Sequence, residues 1–156
     1  MQVLLIEDED PKLLSIQKFL GELDPQIVVF TARSVKSGMA SLRETRPDLV
    51  LLDMSLPTFD ISGQEPGGRP QGFGGIELIR YLDAHEIQIP IVVISAYEAF
   101  SKDGKSIDLK ALAAELRRDY PDLVRDVVYF NPIHGNWSAD LARLITACKE
   151  QIARPA

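Results

Sequence analysis

Asp48-Leu49-Val50-Leu51-Leu52-Asp53-Met54-Ser55-Leu56-Pro57 decides how the chain is read. Four consecutive apolar residues with no polar alternation suit a short strand covered on both faces, as in a parallel sheet flanked by helices. That run ends in a carboxylate, Asp53. A second apolar run, Val3-Leu4-Leu5-Ile6, ends in Glu7-Asp8-Glu9-Asp10. Two parallel strands that each end in acids bring those acids to one edge of one sheet. Carboxylates so placed repel one another, and a bound cation is the usual compensation.

Outward from these runs, apolar segments alternate with amphipathic ones. Asp10-Pro11 reads as a helix start, with Asp10 as N-cap and Pro11 at the first helical position. That helix carries Leu13, Ile16, Phe19 and Leu20 and is expected to stop at Gly21. Ile27–Thr31 reads as a second strand. Ser34 can cap a helix bearing Val35, Met39 and Leu42, ending before Arg46-Pro47. Asp48–Leu52 is then the third strand. Residues 58–75 hold six of the ten glycines and two prolines, so they read as a long loop. A helix resumes at Ile76, and Pro90 introduces a fourth strand, Ile91–Ile94, that ends at Ser95-Ala96. A polar connector, Ser101–Lys105, leads to Ser106 as the expected cap of a helix with Leu109, Leu112, Ala113 and Leu116 on one side. Val127–Phe130 is a fifth strand, followed by Asn131-Pro132. A last helix from Ser138 carries Leu141, Leu144, Ile145, Cys148 and Ile152.

Five such units imply an α/β fold, a doubly wound five-stranded parallel sheet with helices on both faces. Functional groups in such sheets gather at the carboxyl ends of the strands. Those ends carry Glu7-Asp8, Asp53, Ser95 and Asn131. With 156 residues, a single domain is expected, interrupted by a Gly/Pro-rich insertion at about 58–75 and an extended segment at about 97–126. A formal charge of −6, from 17 basic and 23 acidic residues, argues against a general nucleic-acid or anionic-membrane binder. One cysteine excludes an internal disulfide and a multi-cysteine zinc site. No signal peptide or membrane-length apolar run stands out, so a cytoplasmic location is expected.

In this order and at these strand ends, the motifs resemble the response-regulator receiver domain of two-component signalling, which has a flavodoxin-like fold. The resemblance implies that Asp53 is the phosphoacceptor of a phosphorelay and that the chain is a phosphoprotein rather than an enzyme. It implies Mg²⁺ held by Asp8 and Asp53 directly, by Glu7 through water and by the backbone carbonyl of Ser55. It implies that the Ser95 hydroxyl senses the phosphoryl group and draws its loop inward. The partners implied are a sensor histidine kinase or other phosphodonor, and a downstream protein. Receivers often form homodimers through the face between their fourth and fifth helices. With no output domain visible after the last helix, output through protein–protein interaction is expected, or the chain is a fragment of a longer one.

Three departures stand beside the resemblance. Asn131-Pro132 occupies the place of the family's Lys-Pro, so the ammonium that would pair with Asp53 is missing there. Asparagine donates hydrogen bonds but supplies no charge. Val128 replaces the aromatic residue often found three positions earlier. The loop after Pro57 and the interval from Ser95 to Asn131 are both longer than the family leads one to expect. Arg69, Lys102 or Lys105, in these irregular segments, are candidate substitutes for the cation, and Asn131 can instead simply hold a turn. Tyr97 is placed to border the pocket and limit access to Asp53. Ser95 can alternatively cap its own turn.

Two other functions therefore stay open. One is a pseudo-receiver, a binding module that keeps the fold and works without phosphorylation. The other is a phosphatase, because Asp8-Glu9-Asp10 after a strand resembles the Asp-x-Asp opening of haloacid-dehalogenase-type enzymes. That second family needs a further acidic pair after a later strand, where this chain has Asn131-Pro132, and it leaves Asp53 without a role.

Overall fold

The computed structural model describes residues 1–60, 74–102 and 104–154. The expected insertion and Arg69 therefore lie largely or wholly outside the described residues. The elements run β1 (Gln2–Ile6), α1 (Asp10–Leu23), β2 (Val28–Ala32), α2 (Val35–Thr45), β3 (Leu49–Leu52), α3 (Gly74–Ala84), β4 (Ile91–Ser95), β5 (Ala99–Lys102), β6 (Lys105–Asp108), α4 (Leu109–Asp119), β7 (Val124–Tyr129) and α5 (Trp137–Ala153). The main sheet has five strands in the order β2-β1-β3-β4-β7. Every neighbouring pair within it is parallel.

Strand periodicity sorts the core into two layers. Leu4 and Ile6 of β1, with Val50 and Leu52 of β3, pack with Leu42 of α2, Leu78 of α3 and Leu116 of α4. Val3 and Leu5 of β1, with Leu49 and Leu51 of β3, pack with Ile16 of α1 and Leu144 and Cys148 of α5. All four residues of β3 are fully buried, which is why that strand shows no alternation between polar and apolar residues.

Local signals held in part. Ser34 caps α2, accepting a hydrogen bond from the Ser37 amide at 3.1 Å, and the Ser37 side chain closes the capping box. Helix α1 begins one residue earlier than expected. Glu9 is its N-cap, Asp10 is its first residue, and the cap has no side-chain hydrogen bond. The same helix passes through Gly21 and ends at Leu23, because Leu20 faces the core and its carbonyl accepts the Asp24 amide. Ser106 is not a helix cap. It lies in β6, and Asp108 caps α4 by accepting the Ala111 amide at 2.7 Å.

The expected connector after β4 contains an antiparallel hairpin, with Ala99 paired to Asp108 and Lys102 to Lys105. Gly104 sits at its turn with φ +74°, a left-handed conformation that glycine adopts without strain. The hairpin is joined to the main fold by the Leu109 amide, which donates to the Glu98 carbonyl at 2.8 Å.

Candidate functional site

The ends of β1, β3 and β4 converge at one edge of the sheet. Ile6 pairs with Leu52, and the Asp53 amide donates to the Ile6 carbonyl at 3.0 Å. That register sets Asp53 beside Glu7 and Asp8. One carboxylate oxygen from each of Glu7, Asp8 and Asp53 lies within 4.8 Å of the others. Glu7 and Asp53 are buried, at 1% and 5% exposure, and Asp8 is half-buried.

The loop carrying Asp53 is held from behind by the start of α3. The Gly75 amide donates to the Met54 carbonyl at 2.9 Å. A Cβ on Gly75 would meet the Asp53 carbonyl oxygen at 2.5 Å and Met54 Cα at 3.0 Å. A Cβ on Gly74 would press still closer on the Leu56 carbonyl oxygen. These two glycines belong to α3 rather than to the loop before it, and their lack of a side chain lets the helix backbone touch the Asp53 segment.

Among the described residues, the cation that reaches Asp53 comes from α1. Lys12 Nζ donates to Asp53 Oδ1 at 2.9 Å and to the Ile94 carbonyl at 2.8 Å. It also forms an ion pair with Glu7 Oε2 at 2.5 Å, and its side chain is 4% exposed. Lys12 is not among the candidates the sequence offered for that charge, Arg69, Lys102 and Lys105. The side chain of Lys102 is not described, and Lys105 is exposed on the hairpin. A signal for Lys12 is present in the chain. Lys12, Ile16 and Leu20 recur at intervals of four, so a lysine occupies the buried stripe of α1 one turn after an acidic strand end.

The charges act on one another. Burial first, and the neighbouring Asp53 second, push the Glu7 carboxyl up to about 7, with the Lys12 ammonium pulling it only part of the way back. Asp8 is raised for the same first two reasons, burial and Asp53. Burial works to lower Lys12, but Asp53 and Glu7 together win, and its ammonium is held above its ordinary range. Three clustered carboxylates, of which Glu7 and Asp53 share the Lys12 ammonium, leave a surplus of negative charge. Hard oxygen donors in that state suit a divalent cation.

The other site residues are placed differently. Ser95 is fully buried, and its hydroxyl turns onto its own loop, accepting from the Tyr97 amide at 3.1 Å and donating to the Tyr97 carbonyl at 3.3 Å. Tyr97 is 48% exposed. Its phenol is raised by Glu9 first, then by burial, Asp53 and Asp8, which puts it within the field of the acidic pocket. Ser55 lies half-buried two residues beyond Asp53. Asn131 stays in its own turn, where Oδ1 accepts the amides of Ile133 at 2.9 Å and His134 at 3.1 Å. Gly135 closes over that turn, since a Cβ there would meet the Asn131 carbonyl oxygen at 2.6 Å. Trp137 packs locally, its ring 5.3 Å from Phe19 and 4.9 Å from Phe130.

The family model of the response regulator receiver domain matches residues 3–114. The Detocs response regulatory protein DtcB of Enterobacter cloacae is 27% identical over 154 residues, covering 94% of this chain and 99% of its own. The protein y4jR of Sinorhizobium fredii is 27% identical over 139 residues, covering 88% of this chain and 91% of its own. Among solved structures, the response regulator receiver domain protein of Clostridium thermocellum superposes with a TM-score of 0.65 at 17% identity, over 98% of both chains. The CheY-like receiver of Methanospirillum hungatei superposes with a TM-score of 0.63 at 17% identity, over 96% of this chain and 94% of its own. With the family model matching most of its length, the chain belongs to the response regulator receiver domain family of two-component signalling.

Proposed function

We propose that the protein receives a phosphoryl group on Asp53 in a Mg²⁺-dependent relay and passes the signal on by binding another protein. The observation that carries this reading is the convergence of Glu7, Asp8 and Asp53 within 4.8 Å of one another, with the buried Lys12 ammonium paired to Glu7 and Asp53. Asp8 and Asp53 would hold Mg²⁺ directly, Glu7 through a water, and the Ser55 carbonyl would add a ligand. Bound there, Mg²⁺ would offset the negative charge on the phosphoryl oxygens.

The remaining work falls to the chain. An oxygen of Asp53 supplies the electron pair that forms the new P–O bond. The bond from phosphorus to the donor breaks, and its electrons leave with the donor, an imidazole nitrogen of a histidine kinase or an acetate oxygen of acetyl phosphate. The product is an acyl phosphate on Asp53. The Ser95 hydroxyl would then exchange its bonds with Tyr97 for one to a phosphoryl oxygen. Such an exchange draws the β4–β5 loop toward Asp53 and presents a changed surface.

A phosphorylation-independent pseudo-receiver is the second reading. Its support is that Asp53 is 5% exposed, one of its oxygens is held by Lys12, and Ser95 is satisfied within its own turn. Incubation with acetyl phosphate and Mg²⁺, followed by intact-mass measurement, separates the two. The first reading expects one phosphoryl adduct on the native chain and none on Asp53→Asn. No adduct with any donor sinks it and leaves the pseudo-receiver.

A further inference from the structure

We infer that Lys12, reaching the pocket from the first turn of α1, takes over the charge role that Asn131 cannot fill. It aligns the Asp53 carboxylate for attack and then donates to a phosphoryl oxygen. This rests on the proposed phosphorylation of Asp53.

Three features carry the inference. First, position: Lys12 Nζ is in hydrogen-bond contact with the reacting carboxylate, on Oδ1, which leaves Oδ2 to act as nucleophile. Second, anchoring: the ammonium also donates to the Ile94 carbonyl, one residue before Ser95, so it is held from the sheet as well as by charge. An ammonium fixed by a neutral carbonyl can hand its carboxylate contact to a phosphoryl oxygen without leaving the pocket. Third, the place after β7 is otherwise engaged. Asn131 Oδ1 accepts two amides of its own turn, and the turn is closed by Gly135.

The burial of Lys12 argues against a merely solvated surface charge. Stripping water from an ammonium is costly, and a lysine that only filled space in the α1 stripe could be replaced by an apolar residue at no loss. Here the ammonium meets two carboxylates and a carbonyl, which use its three donor hydrogens.

The test measures two quantities that this role moves in opposite directions. Lys12→Met removes the donor that stabilises charge on the phosphoryl group, so phosphorylation by acetyl phosphate at saturating Mg²⁺ should slow by about 100-fold. The same change removes a positive charge beside the metal ligands, so Mg²⁺ affinity measured by calorimetry should rise by roughly tenfold. Lys12→Arg keeps the charge and should stay within about tenfold of the native rate. Should Lys12→Met fail to fold, the double variant Glu7→Gln with Lys12→Met removes one charge of each sign and replaces it in the phosphorylation measurement, read against Glu7→Gln alone. An unchanged phosphorylation rate in a folded variant lacking Lys12 overturns the inference while leaving phosphorylation of Asp53 intact. A native chain that takes no phosphoryl group overturns the proposed function, and the inference with it.

Discussion

Lys12 Nζ sits 2.9 Å from Asp53 Oδ1, joining the first turn of α1 to the loop after β3 across 41 positions of sequence. The contact is buried, and Glu7 completes it from the end of β1. Three chain segments thus share one charged cluster, and most of what can be measured on the protein depends on its balance.

Stability should respond first. Removing the ammonium leaves Glu7 and Asp53 buried and unpaired, which typically costs about 3–5 kcal/mol. Lys12→Met should therefore lower the free energy of unfolding by that order in metal-free buffer, and millimolar Mg²⁺ should restore much of it. Urea denaturation with and without Mg²⁺ reads both. A variant as stable as the native chain without metal would mean that the cluster is not ionised as described.

Glu7 adds a pH dependence whose sign follows from its raised carboxyl. Its folded value of about 7 lies above its ordinary 4.5. The folded state therefore holds this proton more tightly than the unfolded chain does. The stability this contributes is fully present below about pH 4.5 and is lost as pH rises through 7, by up to about 3 kcal/mol. Metal-free denaturation midpoints should fall between pH 5 and pH 8, and Glu7→Gln should flatten that part of the profile. Mg²⁺ binding should displace the proton and so tighten over the same interval. Equal Mg²⁺ affinity at pH 6 and pH 8 would contradict this.

Gly75 is a geometric test of the same loop. Alanine there gains about 1 kcal/mol in helix propensity, but its Cβ must enter a space where the Asp53 carbonyl oxygen stands 2.5 Å away. Overpacking against backbone costs about 1–3 kcal/mol, so Gly75→Ala should be destabilising on balance and should weaken Mg²⁺ binding by moving Asp53. A stabilised variant with unchanged Mg²⁺ affinity would show that the loop yields freely.

Asn131 supplies the contrast. Asn131→Ala forfeits two hydrogen bonds in its turn, a loss of about 1–3 kcal/mol. Its side-chain oxygen is engaged in that turn and Lys12 holds Asp53, so phosphorylation should stay within about twofold of native. A rate drop comparable to that of Lys12→Met would return Asn131 to the site.

The strands could be read from sequence because a strand buried on both faces admits only apolar residues, as Leu49 to Leu52 show. The acid cluster was readable for the same reason, since β1 and β3 end in register. Lys12 was not, because a lysine beside Leu13 in a helical first turn is ordinarily solvent-facing, and only the stripe it shares with Ile16 and Leu20 marks it as buried. The hairpin was missed because β6 is mostly exposed and carries no apolar alternation. Its one local signal was Asp103-Gly104, a dipeptide favoured in tight hairpin turns.

Trapping the acyl phosphate tests the central claim most directly. After incubation with acetyl phosphate and Mg²⁺, reduction with tritiated borohydride converts a phosphorylated aspartate into labelled homoserine, which peptide sequencing can place. The account predicts label at position 53, absent without Mg²⁺ and reduced by about 100-fold in Lys12→Met. No label in the native chain, or label at Asp8 in place of Asp53, would contradict it.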